Sequence, residues 1–264
     1  MHPFLKWAGG KSWLFRDKAF EMPSFDGTYR EPFLGGGAAF FAQNLENAVL
    51  SDANAGLIEL YRVVQSRPDA LSETLKYHSS KHTEAYYYET RAKSFETEIE
   101  RAAQFLYLNR MCFNGLYRVN NNGKFNVPIG SNKKVLLEND DFSVWSNKLK
   151  NVILEVSDFE IAIDQANEND IIFADPPYTV RHNLNGFIKY NQKIFLWEDQ
   201  VRLCDSLKRA CARGVKFVLT NANHTSIHDL YSGFANIAEI ERRSSIAGNK
   251  NFRGTYSEVI VTSK

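Results

Sequence analysis

The sequence holds few of the residues that would staple a fold or carry it across a membrane: three cysteines and seven prolines among 264 residues. Cys112, Cys204 and Cys211 are too few and too scattered for a disulfide framework or a CxxC zinc site, and read as reduced structural thiols. No run approaches the roughly 18 apolar residues of a membrane helix. The start, Met1-His2-Pro3-Phe4-Leu5-Lys6, has no signal-peptide pattern, so a cytoplasmic protein without a membrane partner is expected. His78 and His82 stand four apart, but Ser79, Ser80 and Lys81 between them offer no third ligand, and no metal is expected. Two nucleotide signatures are missing as well. Gly9-Gly10-Lys11-Ser12 ends like a P-loop, yet the first glycine of that motif would have to fall at Leu5. Gly35-Gly36-Gly37 runs directly into alanine and phenylalanine, which is not G-x-G-x-x-G and disfavours NAD.

Acids are absent from one long stretch. Between Arg101 and Leu137 there is no Asp or Glu, while Arg101, Arg110, Arg118, Lys124, Lys133 and Lys134 are present, interleaved with Phe105, Tyr107, Phe113, Tyr117 and Phe125. Basic residues with aromatics suit phosphate neutralisation and base stacking. Placing Phe105 and Tyr107 in a helix core accounts for the rings but not for the missing acids. The net charge of +1 is uninformative by comparison. A hydrophobic content of 44% with 24% charged residues is ordinary, and the length suits one α/β domain with a substantial insertion.

What is present reads as alternating strands and helices. A helix is expected from Ser12, after a glycine loop flanked by Trp7, Ala8, Gly9 and Lys11. A short strand from Tyr29 through Glu31 and Phe33 reaches the triple glycine and then a helix, an arrangement that lets a nucleoside-bearing ligand sit against the backbone at Gly35 and Gly37. The strand Ala48 to Leu50 ends at Ser51-Asp52. There Asp52 can accept a ribose hydroxyl or cap the helix near Asn54, and the upstream glycines favour the ribose. From 56 to about 113 the pattern is helical, with Leu57, Leu60, Tyr61 and Val64 on one face. Asn120-Asn121-Asn122-Gly123 then predicts a hairpin between 116–119 and 124–127. Residues 56–148 form an inserted module between 1–55 and 149–264. Strands at 152–156, 171–174, 215–219, 237–240 and 258–262 complete the sheet, with a helix at 197–212 that Gly214 stops. Asp158 and Phe159, after the first of these strands, suit an adenine held by backbone and ring. The loop 242–254 is basic, and Arg242 and Arg243 there read either as phosphate contacts or as part of a solvated hairpin loop.

The strand Ile171-Ile172-Phe173-Ala174 ends at Asp175-Pro176-Pro177-Tyr178, because proline cannot continue a ladder. Open α/β sheets place ligands at such carboxyl ends. The Asp175 carboxylate and the Pro176 carbonyl can converge on one amino group while the Tyr178 ring covers a flat π-system, a mould for an exocyclic amine on a planar base. The plainer alternative is a strand, a Pro-Pro turn and an incidental tyrosine.

Phe4 to Lys11, Glu31 to Gly37, Asp52, Asn109 to Gly130 and Asp175 to Tyr178 together resemble the Dam-type DNA adenine-N6 methyltransferases, in particular the modification enzymes of GATC restriction systems. The most specific segments are Phe-Leu-Lys-Trp-Ala-Gly-Gly-Lys at 4–11, Phe-Asn-Gly-Leu-Tyr-Arg-Val-Asn at 113–120 and Phe-Asn-Val-Pro-Ile-Gly at 125–130, collinear over nearly the whole chain. The resemblance implies a Rossmann-like S-adenosylmethionine-dependent methyltransferase sheet carrying an inserted target-recognition domain, with 56–148 as that domain. It implies S-adenosylmethionine as methyl donor, with Trp7, Lys11, Asp52 and Asp175 matching cofactor positions and Asp158 and Phe159 falling where the cofactor's adenine is held. Lys6, Leu116, Arg118 and Pro128 match positions that contact GATC bases, and Asn114 also matches. Phe113 stands where a tyrosine fills the duplex, keeping the ring and losing a hydroxyl. Arg110 and Asn126 fall in the same DNA-facing stretch. After Tyr178 the sequence departs from the family, although Phe187 and Tyr190 fit an aromatic pair near a flipped base. The implied partner is double-stranded DNA, and a monomer is expected; the sequence leaves open whether a cognate restriction endonuclease acts separately or the enzyme is solitary. Methylation of glutamine or an RNA amine, and a silent DNA-binding module, are the rival readings. The basic hairpin argues against the first; the glycine loop, Asp52 and Asp175 argue against the second.

Overall fold

The computed structural model describes residues 1–16, 19–120, 122–179, 195–243 and 255–264. In the sheet the strands are β1 (Tyr29–Glu31), β2 (Ala48–Asp52), β3 (Val152–Val156), β4 (Ile171–Ala174), β5 (Lys216–Ala222), β6 (Ala235–Arg243) and β7 (Thr255–Ser263), ordered β3-β2-β1-β4-β5-β7-β6. β1 pairs in parallel with both β2 and β4, and β4 with β5, whereas β7 runs antiparallel to β5 and to β6. After β1 the chain builds outward on one side and then returns to lay β4 on the other. The carboxyl ends of β1 and β4 therefore flank a topological switch point, the position at which open sheets bind ligands.

By contact density the chain forms two compact units: Met1–Lys18, Leu34–Asn47 and Asp52–Val156 in one, and Ala19–Phe33, Ala48–Ser51 and Ser157–Lys264 in the other. The first is mainly helical: α1 (Ser12–Arg16), α2 (Ala38–Ala42), α3 (Ala55–Ser66), α4 (Pro68–Lys81), α5 (Glu84–Ala92), α6 (Glu98–Met111) and α7 (Phe142–Leu149). Several of its helices start at local signals in the sequence. Asn54 accepts from the Leu57 amide, Thr97 and Glu100 form a capping box, and Pro68 opens α4. Leu57, Leu60, Tyr61 and Val64 of α3 are fully buried, as their spacing predicts.

The second unit adds α8 (Phe159–Asp164), α9 (Trp197–Ala212) and α10 (Thr225–Tyr231). Gly214 at φ +83 lets the chain leave α9 in the left-handed region. All four residues of β4 are buried, and Ile172 and Ala174 pack with Phe217, Leu219, Leu203, Leu207, Val259 and Val261 in one core. The strands predicted for the sheet are all present. The 116–127 hairpin is looser than expected, with isolated bridges at Val119↔Phe125 and Cys112↔Ile129 in place of extended strands. Among the described residues no helix is long and apolar enough to cross a membrane.

Candidate active site

The buried strand β4 delivers Asp175 to the sheet's carboxyl edge, and β5, in register with it, delivers Thr220. The Thr220 hydroxyl donates to Asp175 Oδ1 at 2.7 Å. The Tyr178 hydroxyl donates to Glu258 Oε2 at 2.9 Å. Burial and then the charges of Glu258 and Asp175 push the Tyr178 phenol well above its usual range, so the hydroxyl keeps its proton. Behind the prolines, the Gln200 amide donates to the Pro177 carbonyl at 3.3 Å and accepts from Asn221 at 3.0 Å. The Pro-Pro turn is thus clamped from α9 and β5. Thr220, Glu258, Gln200 and Asn221 were not singled out from the sequence. No local motif marks Thr220 or Glu258; strand pairing alone places them.

In the same unit Glu31 is buried and accepts from the Tyr29 hydroxyl at 2.8 Å. Phe33 stacks on Phe159 with centroids 5.3 Å apart, and the Arg202 guanidinium lies 4.2 Å from the Phe159 ring centre. The Phe159 ring is consequently packed into protein, 5% exposed. The Asp158 carboxylate caps α8 and takes both Arg202 nitrogens, at 2.9 and 3.1 Å.

In the helical unit the glycine loop rests on Trp7. A Cβ at Gly35 would lie 2.7 Å from the indole and one at Gly36 3.0 Å from the Trp7 Cβ, and Gly35 and Gly37 have φ of +46 and +64. Only glycine satisfies both the conformation and the approach. Asp52 holds the loop, accepting from the Gly35 amide at 3.0 Å and the Asn54 amide at 2.9 Å. Burial raises its pKa, partly offset by those two amides. The cap of α3 is Asn54 and not Asp52. Ala8 and Gly9 are exposed, while Lys11 is buried and donates to the Gly9 carbonyl at 2.8 Å.

The residues matched to base contacts form a second cluster in that unit. Asn109 on α6 accepts from the Lys6 amide and donates to the Lys6 and Gly115 carbonyls, at 2.9, 2.7 and 3.3 Å. Phe113 donates its amide to the Pro128 carbonyl at 2.9 Å, and Arg118 Nε donates to the Asn126 side chain at 2.7 Å. Asn114 at φ +56 turns the chain between them, a conformation asparagine tolerates. Lys6, Phe113, Asn114, Arg118 and Pro128 are exposed; Leu116 and Asn126 are half-buried.

Two expectations are corrected here. Arg110 is no DNA contact: it is 2% exposed, with its guanidinium against Asp140 (Nη2 to Oδ1 2.9 Å) and the Phe4 and Val135 carbonyls. Arg101 pairs with Glu59 and Lys134 with Glu138, so acids from outside the acid-free stretch neutralise half of its cations. The aromatics also turn inward. Tyr117 stacks on Trp7 at 5.5 Å and on Phe105 at 5.1 Å, and Tyr107 is buried, leaving Phe113 as the ring presented to solvent, 52% exposed. Phe187 and Tyr190 lie outside the described residues, as do the side chains of Arg242 and Arg243, whose backbone closes β6.

Parallel strands that bring a carboxylate and an aromatic ring to one edge of a sheet, extended by an antiparallel pair, are the architecture of an α/β methyltransferase. The model of the D12 class N6 adenine-specific DNA methyltransferases matches residues 7–246, and the chain belongs to that family. It is 36% identical to the Type II methyltransferase M1.LlaDCHI of Lactococcus lactis subsp. cremoris, over 99% of this chain and 95% of that protein. It is 32% identical to the DNA adenine methylase of Haemophilus influenzae, over 98% of this chain and 92% of that one. With the Escherichia coli DNA adenine methylase it shares 28% identity, over 99% of this chain and 95% of the other. The protein is therefore an adenine-specific DNA methyltransferase that uses S-adenosylmethionine.

Proposed function

We propose that the chain methylates N6 of a flipped-out adenine within GATC in duplex DNA. The reading is carried by Asp175-Pro176-Pro177-Tyr178 at the end of β4, with Thr220 on Asp175 and Glu258 on Tyr178. The donor set fits the cofactor: Asp52 is a partly exposed acid beside a glycine turn that Trp7 supports, suited to hydroxyls and to a cationic ligand. Trp7, Ala8, Gly9, Lys11, Glu31, Phe33, Gly35, Gly37, Asp52, Asp158, Phe159 and Asp175 are the residues that would hold S-adenosylmethionine. When bound, it supplies a sulfonium methyl as the electrophile.

The remaining chemistry belongs to the protein. Adenine N6 is a weak nucleophile because its lone pair is delocalised into the ring, and a stacked duplex hides it. Extruding the base costs a few kcal/mol, and stacking on Tyr178 recovers part of that cost. Asp175 and the Pro176 carbonyl accept hydrogen bonds from the amino group, concentrating its lone pair on nitrogen and stabilising the positive charge that develops there. Asp175 acts as an orienting acceptor, since the proton becomes acidic once the methyl has moved. Target choice is assigned to the 56–148 module, with Lys6, Phe113, Asn114, Leu116, Arg118, Asn126 and Pro128 contacting the DNA. Phe187, Tyr190, Arg242 and Arg243 are proposed as further DNA contacts.

The test uses labelled S-adenosylmethionine with GATC-containing and GATC-free duplexes. Label in the GATC duplex alone is expected; label in both overturns the sequence assignment. Asp175→Ala is expected to abolish turnover while sparing DNA binding, and normal methylation by that variant overturns the mechanism.

A further inference from the structure

We propose that Thr220 and Glu258 are positioning residues of the methyl-transfer reaction, holding the acceptor carboxylate and the stacking ring in one geometry before the target base arrives. The proposal rests on the reading of Asp175 and Tyr178 given above and extends it to the antiparallel arm of the sheet. β5 runs outward to Ala222 and β7 returns along it, with Ala222 opposite Glu258 and Thr220 opposite Ile260. Side chains alternate along a strand, so Thr220 and Ala222 share a face. Glu258 lies on that face too, as the direct partner of Ala222 and the diagonal neighbour of Thr220. Alanine at 222 leaves room for the carboxylate.

Four side chains then form two hydrogen-bonded pairs. Thr220 donates its one proton to Asp175 and Tyr178 donates its own to Glu258, and the charge of Asp175 adds to that of Glu258 in keeping the phenol protonated. Glu258 is 6% exposed and is followed by the buried run Val259, Ile260 and Val261. Stability alone does not call for a carboxylate there, because burying one is costly unless hydrogen bonds compensate it. What the carboxylate supplies is a fixed acceptor for the phenol, which keeps its proton and so remains a donor. A pinned ring cannot swing away when the base enters. A threonine hydroxyl on Oδ1 helps to fix the plane of the Asp175 carboxylate. Neither residue touches the reacting atoms; each acts through its neighbour.

The experiment measures kcat and KM on a GATC duplex, S-adenosylmethionine affinity, and the fluorescence of 2-aminopurine at the target position. Glu258→Ala is expected to lower kcat roughly 10- to 100-fold, the range of a charged hydrogen bond, with cofactor affinity nearly unchanged. Glu258→Gln, which still accepts from the phenol, should restore most of that loss. Tyr178→Phe cuts the same link from the other side and should fall by a similar factor, after which Glu258→Ala costs nothing further. Thr220→Val should lower kcat, with Thr220→Ser rescuing it. Full kcat in Tyr178→Phe overturns the proposal even where Glu258→Ala fails to fold, as do additive effects in the double variant. Asp175→Ala is run alongside. If it still turns over, the reading of the site itself fails; if it is inactive while the Glu258 and Thr220 variants match wild type, the positioning role alone fails.

Discussion

Replacing Arg110 by alanine separates a structural ion pair from a DNA contact. The guanidinium is enclosed with Asp140, whose side chain is 6% exposed, and it also donates to the Phe4 and Val135 carbonyls. Truncation leaves the Asp140 carboxylate with the Leu137 amide but without its countercharge, and leaves both carbonyls without this donor. Breaking one side of a buried pair costs about 3–5 kcal/mol. At a urea slope of about 3 kcal/mol per M, the unfolding midpoint of the helical unit should fall by roughly 1–1.7 M. The assay is a urea titration followed by far-ultraviolet circular dichroism, paired with DNA binding measured against salt below the transition. Arg110→Ala should leave the slope of log K on log salt unchanged, because an enclosed cation releases no counterion from a phosphate. Arg118→Ala should do the reverse, keeping the midpoint and weakening DNA binding, with a slope shallower by about 1 if it meets a phosphate or discrimination lower by about 1–3 kcal/mol if it meets a base. An unchanged midpoint in Arg110→Ala, together with a shallower salt slope, would refute the assignment.

Other perturbations probe different parts of the molecule. His78 is buried, stacked on Tyr107 at 4.9 Å with Nδ1 2.8 Å from the Tyr86 hydroxyl, and burial followed by the charge of Lys93 pushes its pKa down to about 4. The unfolded chain therefore binds this proton first as pH falls from 6.5, and the histidine's contribution, complete above 6.5, is lost on descent through 4. That contribution is about 2–3 kcal/mol after allowance for screening; a difference curve against His78→Gln with no slope between those pH values would contradict it. Gly35→Ala places a methyl against the Trp7 indole at positive φ and should cost roughly 1–3 kcal/mol while weakening S-adenosylmethionine binding, both readable by tryptophan fluorescence. Wild-type stability and affinity in that variant would show that the loop can relax.

Much of the sheet is legible in the sequence because each strand is a short apolar run closed by glycine, proline or an acid, and those signals are local. The tetrapeptide at 175–178 is legible for the same reason, all of its chemistry being contiguous. Its supports are not. Thr220 and Glu258 reach Asp175 and Tyr178 across 45 and 80 positions of sequence, through the parallel register of β4 with β5 and the antiparallel register of β5 with β7. A one-residue slip in either register turns these side chains to the opposite face. No composition or motif encodes that; only the pairing does. The charge pattern fails by the same logic. A stretch of chain without acids looks like a polyanion site as long as neutralisation is sought along the sequence, but Glu59, Glu138 and Asp140 neutralise it through space. Among the described residues its cations Arg118, Lys124 and Lys133 stay exposed without an acid partner, and Arg118 is tied to Asn126 and not to a carboxylate. A guanidinium oriented by a neutral amide keeps its full charge for an incoming phosphate or base edge, whereas one oriented by a carboxylate has already surrendered most of its field. Electrostatic reading of a nucleic-acid-binding surface therefore depends on which cations are held by neutral partners, more than on how many occur together in the chain.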